Sequence, residues 1–586
     1  MHNREVERII ETAERICRLG EVVAGDDKEE KVLEIIRATA ERSDFSLELK
    51  PVHVMSWREK FSSLEVWYDS HKLDIPCLAL PYSPSGVVEA PLIFVGTGTE
   101  KDYEKAMVED KIALVEWYKE ELDDVKIQYL KACEHGAAAV VVYDAYEGGK
   151  LRRIVVTGVY DYRFTQALPP PVPIVSIARE DGLRLVDMLR KGIELKARLE
   201  VHTEVRHDAV GYNAIMRIGD GEEKVIVSAH HDHWLEGAVD NCLGLALLLW
   251  LMREKWHDLR RELWLVSFTA EESGAPNYAP WYWAYGSRMF LKDLKELIDE
   301  ILVNINVDVV YGHRVGIDAA GPELVKAVER ILGMRNLSHI VYYCEPMLHY
   351  YDSFSFLREG ISTITLTGLP HFMSLYHTNQ DKIGVVNYDM VRAYASVLKV
   401  LVKSFCSADA DLCYEWLMKT LRAMALNMGH DKLLKRILSI NHPSRYSLES
   451  LRRFRRRVNT QLIRLVCEGD YSSFDSEFKL CMVPLYLIVK DYRKLLRALR
   501  SLEMEAKDKA LKILESIPPA RTFPGEEVPY IAFNVKGIRD MIVKGRIHEA
   551  KEELKRVVDK AKGVIHSELQ KLDEQMYIII RETLSE

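Results

Sequence analysis

Val225-Ile-Val-Ser-Ala-His-His-Asp-His-Trp234 is an apolar run that ends in three histidines and an acid. Its first five residues read as a strand, Val225–Ala229, and the lack of polar alternation implies that both faces are covered. The same texture recurs at Leu263–Thr269, Ile301–Val307 and Ile361–Thr367, with helix patterns such as Leu243–Lys255 and Glu323–Leu332 between them. Strands alternating with helices imply an α/β layer built on a largely parallel sheet. In such sheets the functional crevice lies at the carboxyl ends of the strands. His230 follows the first strand, Glu271 and Glu272 the second, and Asp308 the third.

These positions collect the residues of a metal site. His230, Asp240, Glu272, Asp308 and His377 offer the imidazole and carboxylate ligands that divalent zinc prefers, and a pair of ions needs one carboxylate to bridge them. Glu271 is then free to act as general base on a metal-bound water, a role that a ligating carboxylate cannot fill. Adjacent carboxylates after a buried strand repel unless a cation or proton compensates, and an unpaired Asp308 inside an apolar run would be costly. Alone, Asp240 reads as the N-cap of the helix that begins at Leu243. The set as a whole points to a two-metal hydrolase. A second reading takes His231-x-His233 as the histidine pair of a barrel amidohydrolase; the first is preferred, because only about four strands follow and a barrel needs a longer series.

The 586 residues exceed a single ordinary core, so two to four domains are expected. A hydrophobic content of 48% with 29% charged residues describes a globular chain, and a net charge of −9 gives no general attraction to nucleic acid or anionic lipid. No apolar leader opens the sequence, and no run reaches the roughly 20 residues needed to span a bilayer. A cytoplasmic location without membrane attachment is the expectation. The nine cysteines never form a Cys-x-x-Cys pair and read as reduced thiols.

Residues 4–43 carry helical periodicity in two blocks, broken at Gly20 and around Gly25-Asp-Asp, and lead into an extended stretch near Ser46–Val54. From about residue 70, short apolar runs (Leu92–Val95, Ile112–Val115, Ala138–Val142, Val172–Ile177) suggest a separate small β-rich domain that closes near Lys196–Val201. Beyond about residue 406 the pattern is helical to the end, with a Pro/Gly break at Pro518–Pro529 and no cluster that suggests chemistry. Its basic run Leu451-Arg-Arg-Phe-Arg-Arg-Arg457 reads as a solvated helix face rather than a nucleic-acid site.

Ala229-His-His-Asp, Gly237-Ala-Val-Asp-Asn, Ala270-Glu-Glu, Asn306-Val-Asp and Tyr376-His-Thr, in this order, resemble the di-zinc aminopeptidases of metallopeptidase family 28. That family also includes glutamate carboxypeptidases and the catalytically dead transferrin receptor. Val108-Glu-Asp-Lys-Ile-Ala-Leu-Val, Gly136-Ala-Ala-Ala-Val-Val-Val and Pro173-Ile-Val-Ser-Ile look like the protease-associated domain inserted in many members. The resemblance implies a three-layer α/β/α zinc-exopeptidase fold with a mostly parallel sheet, a β-rich insert and an all-α C-terminal domain. The divisions would be 1–69 and 201–405 for the catalytic domain, 70–200 for the insert and 406–586 for the helical domain.

Carried over by motif, His230 and Asp308 would hold one zinc ion, Glu272 and His377 the other, and Asp240 would bridge them, with cobalt or manganese as substitutes. Asp232 would orient His230 by accepting its other ring proton. Glu271 would pass a proton from the bridging water to the leaving amine, and Tyr376 would donate its hydroxyl to the tetrahedral oxyanion. The resemblance also implies a cis Asp240–Asn241 bond, peptide substrates, and a homodimer formed through the helical tail. Two departures stand out. Tyr351-Asp352-Ser353 replaces the Ser-Asp-His common in the family, and the loop after Glu272 is long, with Trp281, Tyr282 and Trp283 either lining an apolar pocket or packing the loop onto the protein.

The leading expectation is an aminopeptidase that favours apolar N-terminal residues. The alternatives are a carboxypeptidase for C-terminal acidic residues, which needs arginines aimed at the substrate carboxylates, and a non-catalytic receptor-like protein, which would lack ligands. Tyr342–Asp352, expected at the pocket's border, has no arginine, and no ligand is missing.

Overall fold

The two faces of the Val225 strand are buried against different helices, and this makes the domain three-layered. In the computed structural model Val225, Val227 and Ala229 join Leu263 and Leu265 in one apolar cluster with the helices Asn3–Cys17, Leu243–Leu251 and Tyr388–Cys406. Ile226 turns the other way, with Trp264, Val266 and Phe268, onto Phe290 and Leu291 of the helix Tyr285–Asp293. Side chains alternate across a strand, so a strand apolar at every position fills both layers. The helix Leu243–Leu251 is apolar all round and every one of its residues is buried, as a helix enclosed by the sheet and the first helix must be. The structure describes residues 3–584 except 118–123, 160–165, 321, 345–349, 408–417, 420, 424, 427–428, 441–446, 448–449, 455, 459–484, 518–519 and 522–530.

In chain order the strands are β1 (Ser46–Tyr68), β2 (His71–Ile75), β3 (Cys77–Ala79), β4 (Gly86–Gly96), β5 (Ile112–Glu116), β6 (Ala139–Tyr143), β7 (Ile174–Ile177), β8 (Lys196–Ile218), β9 (Lys224–His230), β10 (Glu262–Phe268), β11 (Ile301–Val307), β12 (Val315–Ala320), β13 (Val341–Tyr343) and β14 (Ser362–Thr367). The catalytic part of the sheet runs β13-β12-β14-β11-β9-β10-β8. β9 pairs in parallel with β10 and β11, and β11 with β14. The carboxyl ends of β9, β10 and β11 therefore open onto one edge of the layer.

The extended stretch near Ser46–Val54 proves to be the start of a strand of 23 residues, and β8 is equally long. The two pair antiparallel from Ser46↔Arg217 to Trp67↔Lys196, with irregularities between Val54 and Ser56 and between Glu59 and Phe61. Past the far half of this ribbon, β4 adds to β8 and the parallel strands β5, β6 and β7 follow. The insert thus continues the catalytic sheet, and helices Glu100–Lys105, Asp124–Glu134 and Arg179–Arg190 accompany its strands. The break at Gly25-Asp-Asp is also explained. Gly25 has φ +76°, and a Cβ there would lie 2.8 Å from that of Ala209, while Asp26 caps the next helix, Asp27–Ala40, by accepting from Lys28 and Glu29 N–H at 2.9 Å.

The described tail consists mainly of helices, the longest being Ile547–Thr583. It shares an apolar cluster with Trp281, Trp283, Phe354 and Leu357 of the catalytic domain. Part of its basic run docks rather than facing solvent: Arg452 is buried 3.2 Å from Glu223 and Arg456 pairs with Asp299, whereas Arg457 and Glu582 make a surface pair at 2.5 Å. Glu223 and Asp299 draw the first two guanidiniums inward. The Pro518–Pro529 break lies largely outside the described residues. Among the described residues no helix is long and apolar enough to cross a membrane.

Candidate metal centre

The loops that leave β9, β10 and β11 bring the expected ligands together in a buried cluster. His230 is the last residue of β9. Its Nε2 lies 3.4 Å from Asp240 Oδ1, 3.6 Å from Asp308 Oδ1 and 3.8 Å from Glu271 Oε2. His377, after β14 and the short helix Leu369–Phe372, places its Nε2 3.5 Å from Asp240 Oδ2 and 2.8 Å from Glu272 Oε2. Asp240 thus turns one carboxylate oxygen toward each imidazole. Donor atoms of His230, Asp240 and Glu272 all fall within 4.8 Å of one another. Asp240–Asn241 is cis.

The neighbours of this cluster hold its shape. The Asp381 carboxylate accepts from Val239 N–H at 2.9 Å and Asp240 N–H at 3.1 Å, while the Asn241 amide donates to Val307 O at 2.9 Å. Below the site, Ser228, Asn304, Asn306 and Thr363 form a buried hydrogen-bonded chain across β9, β11 and β14, each link 2.9 Å. Asp232 behaves differently from expectation. His230 Nδ1 lies 2.9 Å from the main-chain oxygen of Asp232 and 3.8 Å from its carboxylate. That carboxylate instead accepts from Glu271 N–H at 3.1 Å and Glu272 N–H at 3.0 Å. Two N–H donors on the turn after β10 compete for the charge more effectively than one ring proton already satisfied by a carbonyl.

His231 and His233 are not brought into the cluster. His231 sits between Ser267 Oγ at 2.8 Å and Glu29 Oε1 at 3.1 Å. His233 Nε2 faces Gly20 O at 3.1 Å. The barrel-type pair is therefore set aside.

Burial and crowding shape the electrostatics. Burial would depress the His230 imidazole, yet Glu271 and Asp308 hold it well above its ordinary value. His377 is likewise disfavoured by burial but raised to about 9 by Glu272 and Asp240. Burial lifts Glu272 to about 7, and it pushes Glu271 and Asp308 up as well. Asp240 runs the other way: the imidazoles on its two oxygens outweigh burial and hold it low. Asp352, buried beside the cluster, is raised by burial to about 8. Carboxylates crowded in this way are relieved by positive charge. The Nε2 atoms of both histidines and one oxygen each of Glu271 and Glu272 are buried without a hydrogen bond of acceptable geometry. The donor set fits divalent cations.

Beside the cluster opens a cleft lined by Ile154, Val155, Glu271, Glu272, Tyr282, Trp283, Tyr350, Tyr376 and His377. The Tyr376 ring stacks on His377 with centroids 3.6 Å apart. Burial, with Glu272 and Asp240 nearby, keeps its hydroxyl protonated far above the usual range. The aromatic loop divides between its two expected roles. Tyr282 and Trp283 reach the cleft, whereas Trp281 packs edge-on against Phe354 at 5.9 Å, with Arg288 over its ring at 3.9 Å. Tyr351 and Ser353, at the departure from the family pattern, bond to Thr367 and Thr365 hydroxyls at 3.2 and 2.7 Å.

Sequence reasoning marks Asp381 only as the end of the stretch Tyr376–Asp381 and gives it no role. It passes over Arg152 and Arg153, which reach the His377 turn from the insert and carry no local signal.

Residues 213–402 match the family described as Peptidase family M28, and residues 88–185 match the PA domain. The chain therefore carries a peptidase family M28 domain preceded by a PA domain. Aminopeptidase NAALADL1 of Rattus norvegicus is 24% identical over 42% of this chain and 42% of its own, so the chain spans less than half of that relative's length. Among solved structures, Peptidase M28 precursor from Shewanella amazonensis SB2B is 17% identical with a TM-score of 0.56, over 69% of this chain and 97% of that one. BSAP, a zinc aminopeptidase from Bacillus subtilis, is 18% identical with a TM-score of 0.54, over 69% and 96%. These likenesses show the fold.

Proposed function

We propose that the chain is a di-zinc exopeptidase and, within that class, an aminopeptidase releasing apolar N-terminal residues from peptides. The observation that carries this reading is Asp240, whose two oxygens face different imidazoles at 3.4 and 3.5 Å, as a carboxylate shared between two cations does. His230 and Asp308 would hold one ion, Glu272 and His377 the other, with cobalt or manganese as substitutes for zinc. Bound there, the ions would polarise the scissile carbonyl and acidify the attacking water. Glu271, beside His230 but outside the ligand set, takes the proton from that water and delivers it to the departing amine. The Tyr376 hydroxyl, held protonated, donates to the oxyanion. Asp232 fixes the backbone of both glutamates through its two N–H bonds.

The choice between peptide ends is supported by the cleft. Ile154, Val155, Tyr282 and Trp283 suit an apolar side chain, and among the described residues that line it there is no arginine or lysine for a terminal carboxylate. The test is metal analysis of the purified protein together with amino-acid amides, N-acetylated peptides and peptides ending in glutamate. Two ions per chain and cleavage only of substrates with a free α-amine are expected. Release of C-terminal glutamate in preference would favour the carboxypeptidase, and a chain that binds no ions and hydrolyses none of these substrates would favour the receptor-like alternative.

A further inference from the structure

The turn that presents Tyr376 and His377 is held from outside the catalytic domain. Leu151–Arg153 of the insert runs antiparallel to residues 377–379. Arg153 N–H donates to His377 O at 2.9 Å, Asn379 N–H to Leu151 O at 3.0 Å, and Leu151 N–H to Asn379 Oδ1 at 3.0 Å. His377 Nδ1 lies 3.2 Å from Arg153 O. With its proton donated to that carbonyl, the ring keeps its Nε2 lone pair for the Asp240 and Glu272 side.

Arg152 grips the same turn with its side chain. Its guanidinium donates to the carbonyls of Met373 at 3.2 Å, Ser374 at 3.4 Å and Tyr376, which leave the end of the helix Leu369–Phe372 without helical partners. The side chain is 3% exposed. From behind, Asp144 accepts from its Nε at 2.7 Å and its Nη2 at 3.3 Å, and the Trp117 ring lies 4.5 Å below it. A planar fork locked on two sides loses little freedom on bonding a third. The next two residues of the segment, Ile154 and Val155, form the cleft wall.

We infer that Arg152, fixed by Asp144, is a positioning residue for one of the two metal ions: from the insert it sets the His377 ring against Asp240 and Glu272. The inference rests on the two-metal reading. It is tested on the full chain by isothermal titration of the metal-free protein with Zn²⁺ alone, for wild type, Arg152→Lys, Arg152→Gln and Asp144→Asn, with circular dichroism and thermal melting alongside. Loss of a group bonded directly to a ligating histidine weakens the metal about 10- to 100-fold, and Arg152, acting one step further out through the turn, should reach about 10-fold. The expected result is that fall for one ion while the other binds as in wild type, smallest in Arg152→Lys, which keeps the charge without the fork. If Arg152→Gln fails to fold, the other two variants carry the comparison. A merely structural role would lower melting temperatures and leave the two affinities unchanged or reduced together, and either pattern overturns the inference. A wild-type chain that binds fewer than two ions overturns the two-metal reading and this inference with it; two ions in wild type with unchanged variants overturns this inference alone.

Discussion

Asp232→Asn separates the two jobs open to this residue. Its carboxylate accepts from Glu271 and Glu272 N–H at 3.1 and 3.0 Å, whereas His230 Nδ1 is served by the main-chain oxygen at 2.9 Å. The main-chain bond survives the substitution. An amide keeps one acceptor oxygen but turns an NH₂ group against the second N–H, so one charge-assisted hydrogen bond is lost, about 1.5–3 kcal/mol. Were all of that spent on the placement of Glu271, the rate would fall about 10- to 150-fold. Some of it will instead lower stability, so kcat/KM on an apolar aminoacyl amide should drop about 10- to 100-fold with both ions retained. Steady-state kinetics paired with metal stoichiometry by atomic absorption reads both effects. An unchanged kcat/KM would refute the reasoning, because the carboxylate would then not be placing Glu271.

Glu271→Gln should keep both ions yet lose at least about 10²-fold in kcat, since it removes only the base; equal loss of metal would remove that assignment, and Asp240→Ala is the contrast, expected to release both ions. Burial drags the His233 imidazole down to about 4 from an ordinary 6.5. The unfolded chain therefore takes up the proton first, and stability is lost as pH falls from about 6.5 through 4, by up to about 3 kcal/mol. His233→Gln, which keeps a donor for Gly20 O, should shrink the drop in urea midpoint between pH 7 and pH 4.5; an undiminished drop would assign it to other groups. We also propose a homodimer through residues 406–586, expected in light scattering of the full chain at micromolar concentration, where a monomer would exclude it.

The parallel strands, and the five candidate ligands that the structure gathers into one cluster, were legible because their signals are local. His230, Glu272 and Asp308 each end or follow an apolar strand, and a charge at the end of a buried strand has few structural explanations. Helix and strand limits moved by a few residues, as with Leu243–Lys255, which closes at Leu251. What the residues did not announce is set by partners far along the chain. Ser46–Val54 extends to Tyr68 because β8 lies beside it, and nothing in Trp57 or Glu59 alone says so. Asp232 was assigned the nearest histidine, yet its partners are the N–H groups of residues 271 and 272, visible only once β9 and β10 are side by side. Arg452 and Arg456 read as solvated because their acids, Glu223 and Asp299, lie more than 150 positions away. Arg152 stands among insert residues, and its carbonyl acceptors leave no trace in side-chain identity.

The long ribbon of β1 and β8 has a practical bearing on how this chain can be taken apart. At about 3.3 Å per residue, each of its 23-residue strands would reach about 75 Å if straight. β8 gives residues 196–201 to β4 and residues 214–218 to β10 on one uninterrupted backbone. A scissors cut at positions 70 and 200, natural from the sequence, would leave β4 paired with Lys196–Glu200 but strip that short piece of β8 of its β1 partner, Ser63–Trp67, and of the rest of its own strand. A transplant of the insert into another scaffold should carry both strands, and a recipient must offer a turn shaped like residues 373–379 for Leu151–Arg153 to grip. Domain shuffling, in the laboratory or in descent, would therefore exchange these parts as one cassette.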